Sequence, residues 1–328
     1  MLAACGASSQ VVVHVGAASI TRQAVGHWMA VLAQTGEVPK PPRYGSCVSH
    51  LSKGGPKRDR AALELTCEHD YRALLSGALA QLISWQWLIQ EATSRSLSPS
   101  RRAVEERVAQ ERESAKEQLR ALDKAPVTTS DLELEASAEL AEAMIERTLT
   151  ASLPAVSGAE IASYYREHLA DFLVAQRRYF LIRSLKSQAA ALALRAEVES
   201  GASFAKKALR ETRTSSEAVE PGREAIDRAI FVAKPNVLTG PILLSDIGDH
   251  SLFEVTSIVP ARYLPLAQVR SEIAQRIAVA RQNAALDRFA RAWTAKWSSR
   301  TQCASGYVVQ QCREYTGQHT AVNPFAGG

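Results

Sequence analysis

The fold class is decided by residues 178–209, RYFLIRSLKSQAAALALRAEVESGASFAKKAL. The apolar run Tyr179-Phe180-Leu181-Ile182 predicts a buried strand. A helical pattern follows from Ser187 to Ser200, and Gly201 ends it. A shorter helix is predicted from Phe204 to Leu209. A strand followed directly by helices predicts an α+β unit.

The same unit continues downstream with weaker signals. A polar loop is predicted from Glu211 to Arg223, and a turn of helix then runs to Phe231. Two further strands are predicted at Pro241–Leu244 and Leu252–Val259. The predicted α+β domain therefore covers residues 173–261.

The flanking sequence is mainly helical. Thr21 is a predicted N-cap for a helix that buries Val25, Trp28, Met29 and Leu32 and ends at Gly36. After a loop at 39–56, helical patterns resume with apolar positions that include Leu63 and Leu65, and charged helices are predicted at 98–123 and 130–150. Ser157 and Glu160 form a capping box.

A long amphipathic helix is predicted from Pro265 to Ser298. Its apolar residues need a partner outside the α+β unit, and the N-terminal helices are the natural one. The predicted fold is therefore a helical domain at 10–172 plus 262–315, with the α+β domain inserted into it. Residues 1–9 are predicted to be a tether and residues 316–328 a flexible tail.

The composition is that of a folded chain with a mixed surface. Of 328 residues, 46% are hydrophobic and 22% are charged, and the formal net charge is +5. This length fits two domains. Both signs of charge are interspersed, which favours a solvated surface and argues against nucleic acid as a partner. The longest apolar run, 73–89, contains Ser and Gln and predicts a buried helix instead of a membrane span.

The five cysteines separate into one near the N-terminus and two pairs. The pairs Cys47–Cys67 and Cys303–Cys312 are predicted disulfides, which favour an oxidising compartment. Zinc is the alternative for the first pair, because His50 and His69 lie close to it in sequence, although the spacing is unlike usual zinc sites.

Residues 2–6, Leu-Ala-Ala-Cys-Gly, have the form of a bacterial lipobox, so Cys5 is a predicted lipid attachment site. The basic and apolar parts of a signal peptide do not precede it in this sequence. Either the true start lies upstream of Met1 and Cys5 is lipidated, or the lipobox match is accidental.

Four short motifs, in this order along the chain, resemble the SurA/PrsA group of bacterial foldases. They are Val13 to Arg22, Val156 to Ile161 with Tyr164, Tyr165 and Phe172, Gly201 to Ala205, and Leu238 to Pro241. The resemblance implies a helical peptide-binding domain with an inserted parvulin-like peptidyl-prolyl isomerase domain. It also implies no cofactor and no metal.

The parvulin resemblance identifies candidate catalytic positions, and most have changed. Tyr179 stands where the family's first-strand histidine is usual. The second histidine matches His250 when aligned on Gly248 and Ser251 when aligned on Val255, and the two choices face opposite sides of the strand. Of the family's Gly-rich cleft segment, matched by Thr214 to Glu224, only Gly222 remains.

Proline isomerisation needs an apolar pocket and hydrogen bonds to a twisted amide, with no nucleophile. Phe231, Leu243 and Phe253 are the predicted pocket, with Tyr179 and His250 beside the amide; the alternative is that the phenylalanines are core and His250 lies in an exposed loop. No Gly-rich phosphate loop or Gly-x-Ser-x-Gly elbow points to another enzyme class.

The resemblance thus implies an extracytoplasmic folding factor that binds unfolded exported proteins. It is held at the membrane if Cys5 is lipidated and secreted otherwise, and a homodimer is compatible with it. Whether the parvulin-like domain still isomerises Xaa-Pro bonds is left open by the changed residues. A holdase that binds clients without catalysis is the first alternative, and an envelope-assembly lipoprotein with one fixed partner is the second.

Overall fold

The computed structural model describes residues 10–33, 37–53, 59–114, 127–215, 217, 219 and 221–325. The chain divides into two compact units. The terminal unit combines Met1–Pro154 with Val279–Gly328, and the inserted unit is Ala155–Ala278. The α+β fold class is confirmed. The tether at 1–9, Cys5 and the helix end at Gly36 lie outside the described residues.

The elements are, in chain order, β1 Val11–Val15, β2 Ala18–Thr21, α1 Arg22–Leu32, α2 Gly45–Ser52, α3 Arg60–Ser94, α4 Arg101–Ser114, α5 Thr129–Ala151, α6 Gly158–Glu167, β3 Leu173–Val174, β4 Arg177–Leu185, α7 Gln188–Glu199, β5 Leu209–Thr214, α8 Glu224–Val232, β6 Leu238–Leu244, β7 Asp249–Val259, β8 Arg262–Tyr263, α9 Leu266–Ser298 and β9 Thr301–Cys303. Short 3-10 helices occupy Leu169–Phe172 and Phe204–Lys206.

Side-chain caps fix the starts of several helices. Thr21 accepts a hydrogen bond from the backbone N–H of Ala24 and caps α1, as predicted. Ser157 and Glu160 form the predicted capping box of α6. Each cap satisfies N–H groups that the first turn of a helix leaves without partners.

The terminal unit is closed by its two chain ends. Strand β9 pairs antiparallel with β1, giving a three-stranded sheet in the order β2-β1-β9. Beside it, Trp87 of α3 meets Trp293 of α9 edge to face, with ring centroids 5.2 Å apart. The Trp87 indole N–H donates to Thr301 Oγ1 over 2.8 Å. The core therefore depends on residues from both ends of the sequence.

Gly16 in the β1–β2 turn shows why that turn needs glycine. Its φ is +53°, and an added Cβ would lie 2.5 Å from Gln90 Oε1. Gln90 in turn accepts from the Ala17 N–H and donates to the Val15 carbonyl. The small-residue turn is thus hydrogen-bonded directly to α3.

The inserted unit is built on an antiparallel sheet in the order β5-β4-β7-β6. Helix α8 covers one face, where Ile226 and Ile230 pack with Phe180 and Phe253. Helix α7 covers the other face, where Leu194 packs with Leu181 of β4 and Leu252 of β7. Along each strand these leucines alternate with the residues that face α8. Because the middle of β4 and of β7 is covered on both sides, consecutive residues are buried there, 180–182 in β4 and 251–253 in β7.

A third cluster extends this unit beyond the predicted 173–261. Ile161 of α6 and Phe172 pack with Val269 and Ile273 of α9. The two-stranded ribbon of β3 and β8 lies between these segments in sequence. The inserted unit is therefore wider at both ends, because α6 and the start of α9 bury their apolar faces against each other.

The predicted helix at Phe204–Leu209 is wrong. A single 3-10 turn is followed by β5, which pairs with β4 from Thr214 opposite Arg177 to Leu209 opposite Ile182. The predicted loop at 211–223 thus begins with strand. Strand β5 lies at the sheet edge and is largely exposed, so its sequence LRETRT lacks the apolar signal that marks a buried strand.

Other local predictions also need correction. Helix α2 lies within the predicted loop at 39–56, where its few apolar residues gave no helical pattern. Leu32 and Leu65 are exposed instead of buried. The charged helix predicted at 98–123 is found at Arg101–Ser114, and residues 115–123 lie outside the described part of the chain. In the predicted tail, Val322 and Phe325 pack against the core of the terminal unit.

Candidate functional site

Both predicted disulfides are confirmed, and each fixes a segment of the terminal unit. Cys47–Cys67 joins α2 to α3, with 6.0 Å between the Cα atoms. Cys303–Cys312 closes the loop after β9, with 5.8 Å between the Cα atoms. The first bond engages the two sulfurs that the zinc alternative requires. Among the described residues, no group of three or more His, Cys, Asp or Glu is placed to hold a metal ion.

In the inserted unit, the two predicted catalytic residues are far apart. Tyr179 pairs with Ser257 of β7, whereas His250 pairs with Leu185 of β4. These pairs lie six positions apart along the strands, which is about 20 Å at the usual rise per residue. Tyr179 and His250 therefore cannot contact the same amide in this arrangement.

The sheet places His250 and Ser251, the two alternatives for the second histidine, on opposite faces. Ser251 shares the face of Phe253 and Val255, which α8 covers, because side chains alternate along β7. His250 points to the opposite face, opposite Leu185 and Leu243. Ser251 is fully buried and shares a 2.7 Å hydrogen bond with Ser184. The Ser184–Ser251 hydroxyl pair, and not His250, therefore lies on the same apolar face of the sheet as Phe253.

The predicted pocket residues do not form one pocket. Phe253 is 0% exposed and meets Phe180 edge to face, with ring centroids 6.4 Å apart, so it is core. Leu243 is 50% exposed and lies on edge strand β6, paired with His250. Phe231 is half-buried on α8, beside the guanidinium of Arg178. Only Leu243 and His250 are brought together.

The histidine itself has one unusual feature. Its Nδ1 atom is buried and has no hydrogen-bond partner among the described residues. Its neighbour Asp249 is occupied by Lys186, whose Nζ lies 3.0 Å from Asp249 Oδ1. A histidine that acts as a general acid or base is usually oriented by a carboxylate. No carboxylate among the described residues orients His250 in this way.

The structure explains why glycine is retained at position 222, the one residue that matches the family's cleft segment. Its φ is +85°, and an added Cβ would lie 2.6 Å from the backbone nitrogen of Asp246. Its carbonyl accepts from the Ser245 N–H over 2.9 Å. Glycine is required here for a close approach to the β6–β7 turn.

The terminal unit contains a groove that the sequence did not predict. Its volume is about 810 Å³, and α1, the segment 37–41 and α3 form its walls. The apolar part of the lining includes Met29, Val38 and Leu75. Arg22, Lys40 and Glu37 supply charge at the groove. A concave surface of this kind, mainly apolar with a few polar groups, is typical of a binding site.

Tyr307 joins this groove to a second one. The second cavity, of about 630 Å³, shares Leu75 and Tyr307 with the first and is otherwise lined by neighbouring residues such as Val308 and Tyr315. We call the two together the tyrosine groove. The Arg22 guanidinium lies 6.0 Å from the Tyr307 ring. Burial, with Tyr307 and Tyr44 nearby, raises the pKa of Tyr71 in the same lining above its ordinary value.

The two disulfides brace this groove. The Cys303–Cys312 loop carries Tyr307 and its neighbours into both cavities, and α2, linked to α3 by Cys47–Cys67, contributes Ser46. The cysteine pairs were thus the sequence signal that could have located the groove. No helix among the described residues is long and apolar enough to cross a membrane.

The fold of the inserted unit, a four-stranded antiparallel sheet between helices, defines the class of domain. Residues 156–271 match the model of the family described as the PPIC-type PPIASE domain. The inserted unit therefore carries a PPIC-type peptidyl-prolyl isomerase domain, and the expected parvulin-like domain is confirmed. The match covers less than half of the chain.

Solved structures of SurA-like chaperones and of PrsA foldases are similar to this chain over 70% to 88% of its length. One comes from a study of PEB4 and Cj1289, described as SurA-like chaperones of Campylobacter jejuni; it is 12% identical with a TM-score of 0.44, covering 88% of this chain and 98% of that one. The foldase PrsA of Streptococcus pneumoniae is 16% identical with a TM-score of 0.25, covering 70% and 90%. PrsA of Bacillus subtilis is 13% identical with a TM-score of 0.22, covering 88% and 93%.

Because these TM-scores lie below 0.5, the three likenesses carry no further conclusion. No curated protein matches the sequence.

Proposed function

We propose that this protein is a folding factor that binds unfolded segments of exported proteins in the tyrosine groove. The observation that carries the proposal is the pair of cavities on either side of Tyr307, lined mainly by apolar and aromatic side chains. Exposed apolar concavities of this size favour extended, apolar chain segments. The PPIC-type domain fits the same role.

Binding is tested with a permanently unfolded client, reduced and carboxymethylated lactalbumin, by fluorescence anisotropy. Tyr307→Ala removes an aromatic ring common to both cavities, and we expect about a tenfold loss of affinity. Tyr263→Ala is the matched control, because Tyr263 is an exposed tyrosine of the inserted unit. Equal affinity of the wild-type and Tyr307→Ala proteins would contradict the proposal.

Isomerisation of Xaa-Pro bonds is the second candidate function. The match of residues 156–271 favours it, and the hydroxyl pair Ser184–Ser251 beside Phe253 is the polar feature of the apolar face. The separation of Tyr179 from His250 argues against a site formed by those two. Holding without catalysis is therefore the form of the function we favour.

A proline-limited refolding assay separates the two. We expect no acceleration by the wild-type protein. Acceleration that is lost in Ser251→Ala and kept in Tyr179→Ala and His250→Ala would instead assign catalysis to the hydroxyl pair.

We also propose that the protein works outside the cytoplasm. Two disulfides in one chain are typical of an oxidising compartment. Cys5, which lies outside the described residues, is the proposed lipid attachment site. Intact mass spectrometry of the membrane fraction should show an added diacylglycerol in wild type and none in Cys5→Ser, and an unmodified wild-type protein would remove the lipid anchor.

A further inference from the structure

The C-terminal segment, residues 318–325 (QHTAVNPF), lies against α9 of the terminal unit. The Val322 N–H donates to Thr294 Oγ1 over 3.0 Å, and the Thr294 hydroxyl donates back to the Val322 carbonyl over 3.4 Å. Phe325 packs near Phe289, with ring centroids 5.6 Å apart. The segment thus lies on the unit as a bound peptide does, by backbone hydrogen bonds and one aromatic anchor.

The segment does not fill the surface that it covers. A cavity of about 310 Å³ remains, lined on one side by Val322, Asn323 and Pro324. Trp85, Trp293 and Glu142 are among the residues that line it on the other. Trp293 Nε1 is buried without a hydrogen-bond partner among the described residues. The open cleft and the unpaired indole donor therefore leave room for a side chain larger than that of Asn323.

The charge of this cavity is also left uncompensated. Glu139 pairs with Arg107, but Glu142 has neither an ion pair nor a hydrogen bond within the described chain. Burial, with Glu146 and Glu139 nearby, raises the pKa of Glu142 to about 7. The C-terminal segment supplies no lysine or arginine to pair with Glu142, because residues 314–328 contain neither.

We propose that the surface formed by Trp85, Leu88, Trp293, Thr294 and Glu142 binds extended apolar peptides that carry a lysine or arginine, and that residues 318–325 occupy it in cis as a displaceable substitute. A cationic side chain at the place of Asn323 would reach a cavity whose lining includes the Glu142 carboxylate and the indoles of Trp85 and Trp293. Carboxylates and indole rings both attract cations. The proposal does not depend on the tyrosine groove, since the two linings share no residue.

Few contacts hold the segment, so its local opening should cost much less free energy than unfolding the unit. Gln310 donates to the Thr320 carbonyl over 2.9 Å, and the His319 ring lies edge to face with Tyr315 at 5.6 Å. The other ties within the described residues are those of Val322 and Phe325. Val322→Ala or Phe325→Ala should free the surface without disturbing the core beneath it.

The test uses full-length protein and two fluorescent peptides, QHTAVNPF and the same peptide with Asn323→Lys, at pH 8. We expect the Phe325→Ala chain to bind the native peptide at least about fivefold more tightly than wild type does, because the competing segment is weakened. We expect the lysine peptide to bind the Phe325→Ala chain about tenfold more tightly than the native peptide does. Adding Glu142→Gln to the Phe325→Ala chain should abolish this tenfold difference between the peptides. Glu106→Gln, on the exposed face of α4, is the matched control.

Equal affinities of the two peptides, or equal affinities of the wild-type and Phe325→Ala chains, would overturn the proposal. Val322→Ala repeats the measurement if circular dichroism shows that Phe325→Ala is misfolded. Loss of peptide binding in Tyr307→Ala instead of Glu142→Gln would place the peptide in the tyrosine groove, overturning this inference while leaving the proposed function standing.

Discussion

Arg178 is a buried cation that closes the C-terminal end of α8. Its Nη1 donates to the carbonyls of Ile230 and Ala233 over 2.8 and 2.7 Å. Burial lowers the pKa of its guanidinium below the ordinary value, and no carboxylate among the described residues lies within ion-pair distance. The arginine of the parvulin-like strand thus has a clear structural role, whatever its role in catalysis.

We expect Arg178→Met to lower the free energy of unfolding by about 2–3 kcal/mol, because two buried carbonyls lose a charged donor. Urea unfolding followed by circular dichroism measures it. Arg183→Met, at an exposed position of the same strand, should change the value by less than about 0.5 kcal/mol. Similar losses in both variants would contradict the assigned role.

Asp131 gives the terminal unit a pH-dependent contact. Burial acts to raise the pKa of its carboxyl, but hydrogen bonds from the Thr128 side chain and backbone and from His27 outweigh burial and lower it. His27 Nε2 lies 2.8 Å from Asp131 Oδ2, which ties α1 to the start of α5. A lowered pKa means that the folded state favours the carboxylate.

This contribution to stability is present above the unfolded-state pKa of about 3.9 and is lost as pH falls through the lower folded-state pKa. We expect Asp131→Asn to cost about 1 kcal/mol at pH 7 and to flatten the fall in stability below pH 4. Urea unfolding at several pH values tests this, with the exposed Asp70→Asn as control. An unchanged acid profile in Asp131→Asn would count against the contact.

Among the elements, the loop 304–311 has the most direct link to binding. Its disulfide holds Tyr307 between the two cavities, and the Ala304 N–H donates to the Val12 carbonyl over 2.9 Å. The loop is thus fixed at its start by the β1 strand and at its end by Cys312. The disulfide adds a covalent constraint to the turn hydrogen bonds and to the packing of Val309 in the core.

We expect the double variant Cys303→Ser, Cys312→Ser to lose about 2–3 kcal/mol of stability by the chain-entropy model. The unfolded client should also bind more weakly, because Tyr307 is no longer fixed. The double variant Cys47→Ser, Cys67→Ser is the comparison. It loosens α2 beside the first cavity but leaves the lining of the second in place, so we expect it to lose less client affinity. Equal loss of client affinity in both would contradict a specific role for the loop.

At the scale of the whole molecule, Glu91 joins the two halves of the terminal unit. This buried carboxylate of α3 lies 2.6 Å from Lys296 Nζ of α9 and accepts from the Trp297 indole over 2.8 Å. Arg95 pairs with its other oxygen. Burial acts to raise the pKa of Glu91, and these partners outweigh burial and lower it.

We expect Glu91→Gln to destabilise the terminal unit by about 2 kcal/mol, because the buried position loses the charge that strengthens its hydrogen bonds from Lys296, Arg95 and Trp297. Calorimetry should show the transition of the terminal unit moving to lower temperature while that of the inserted unit stays. Glu105→Gln, which breaks only an exposed pair with Arg101, should change little. A single transition that shifts as a whole would show that the units unfold together.

The sequence by itself determined the α+β class, the helix caps, the two disulfides and the presence of a parvulin-like insertion. Each depends on local patterns: Ser157 with Glu160 caps its own helix, and the apolar residues 180–182 are buried whatever element covers them, although Tyr179, predicted to be buried with them, is exposed. Strand β5 and helix α2 escaped prediction, because one is an exposed edge and the other lacks an apolar face.

Only the tertiary structure decided the sites. Whether Tyr179 and His250 meet depends on the register of β4 against β7, and a shift of one residue would turn His250, in place of Ser251, toward the face of the sheet that α8 covers. The tyrosine groove brings Met29, Tyr71 and Tyr307 together from three distant parts of the chain. Local free energies set where elements form, but the packing of both chain ends sets which side chains share a surface.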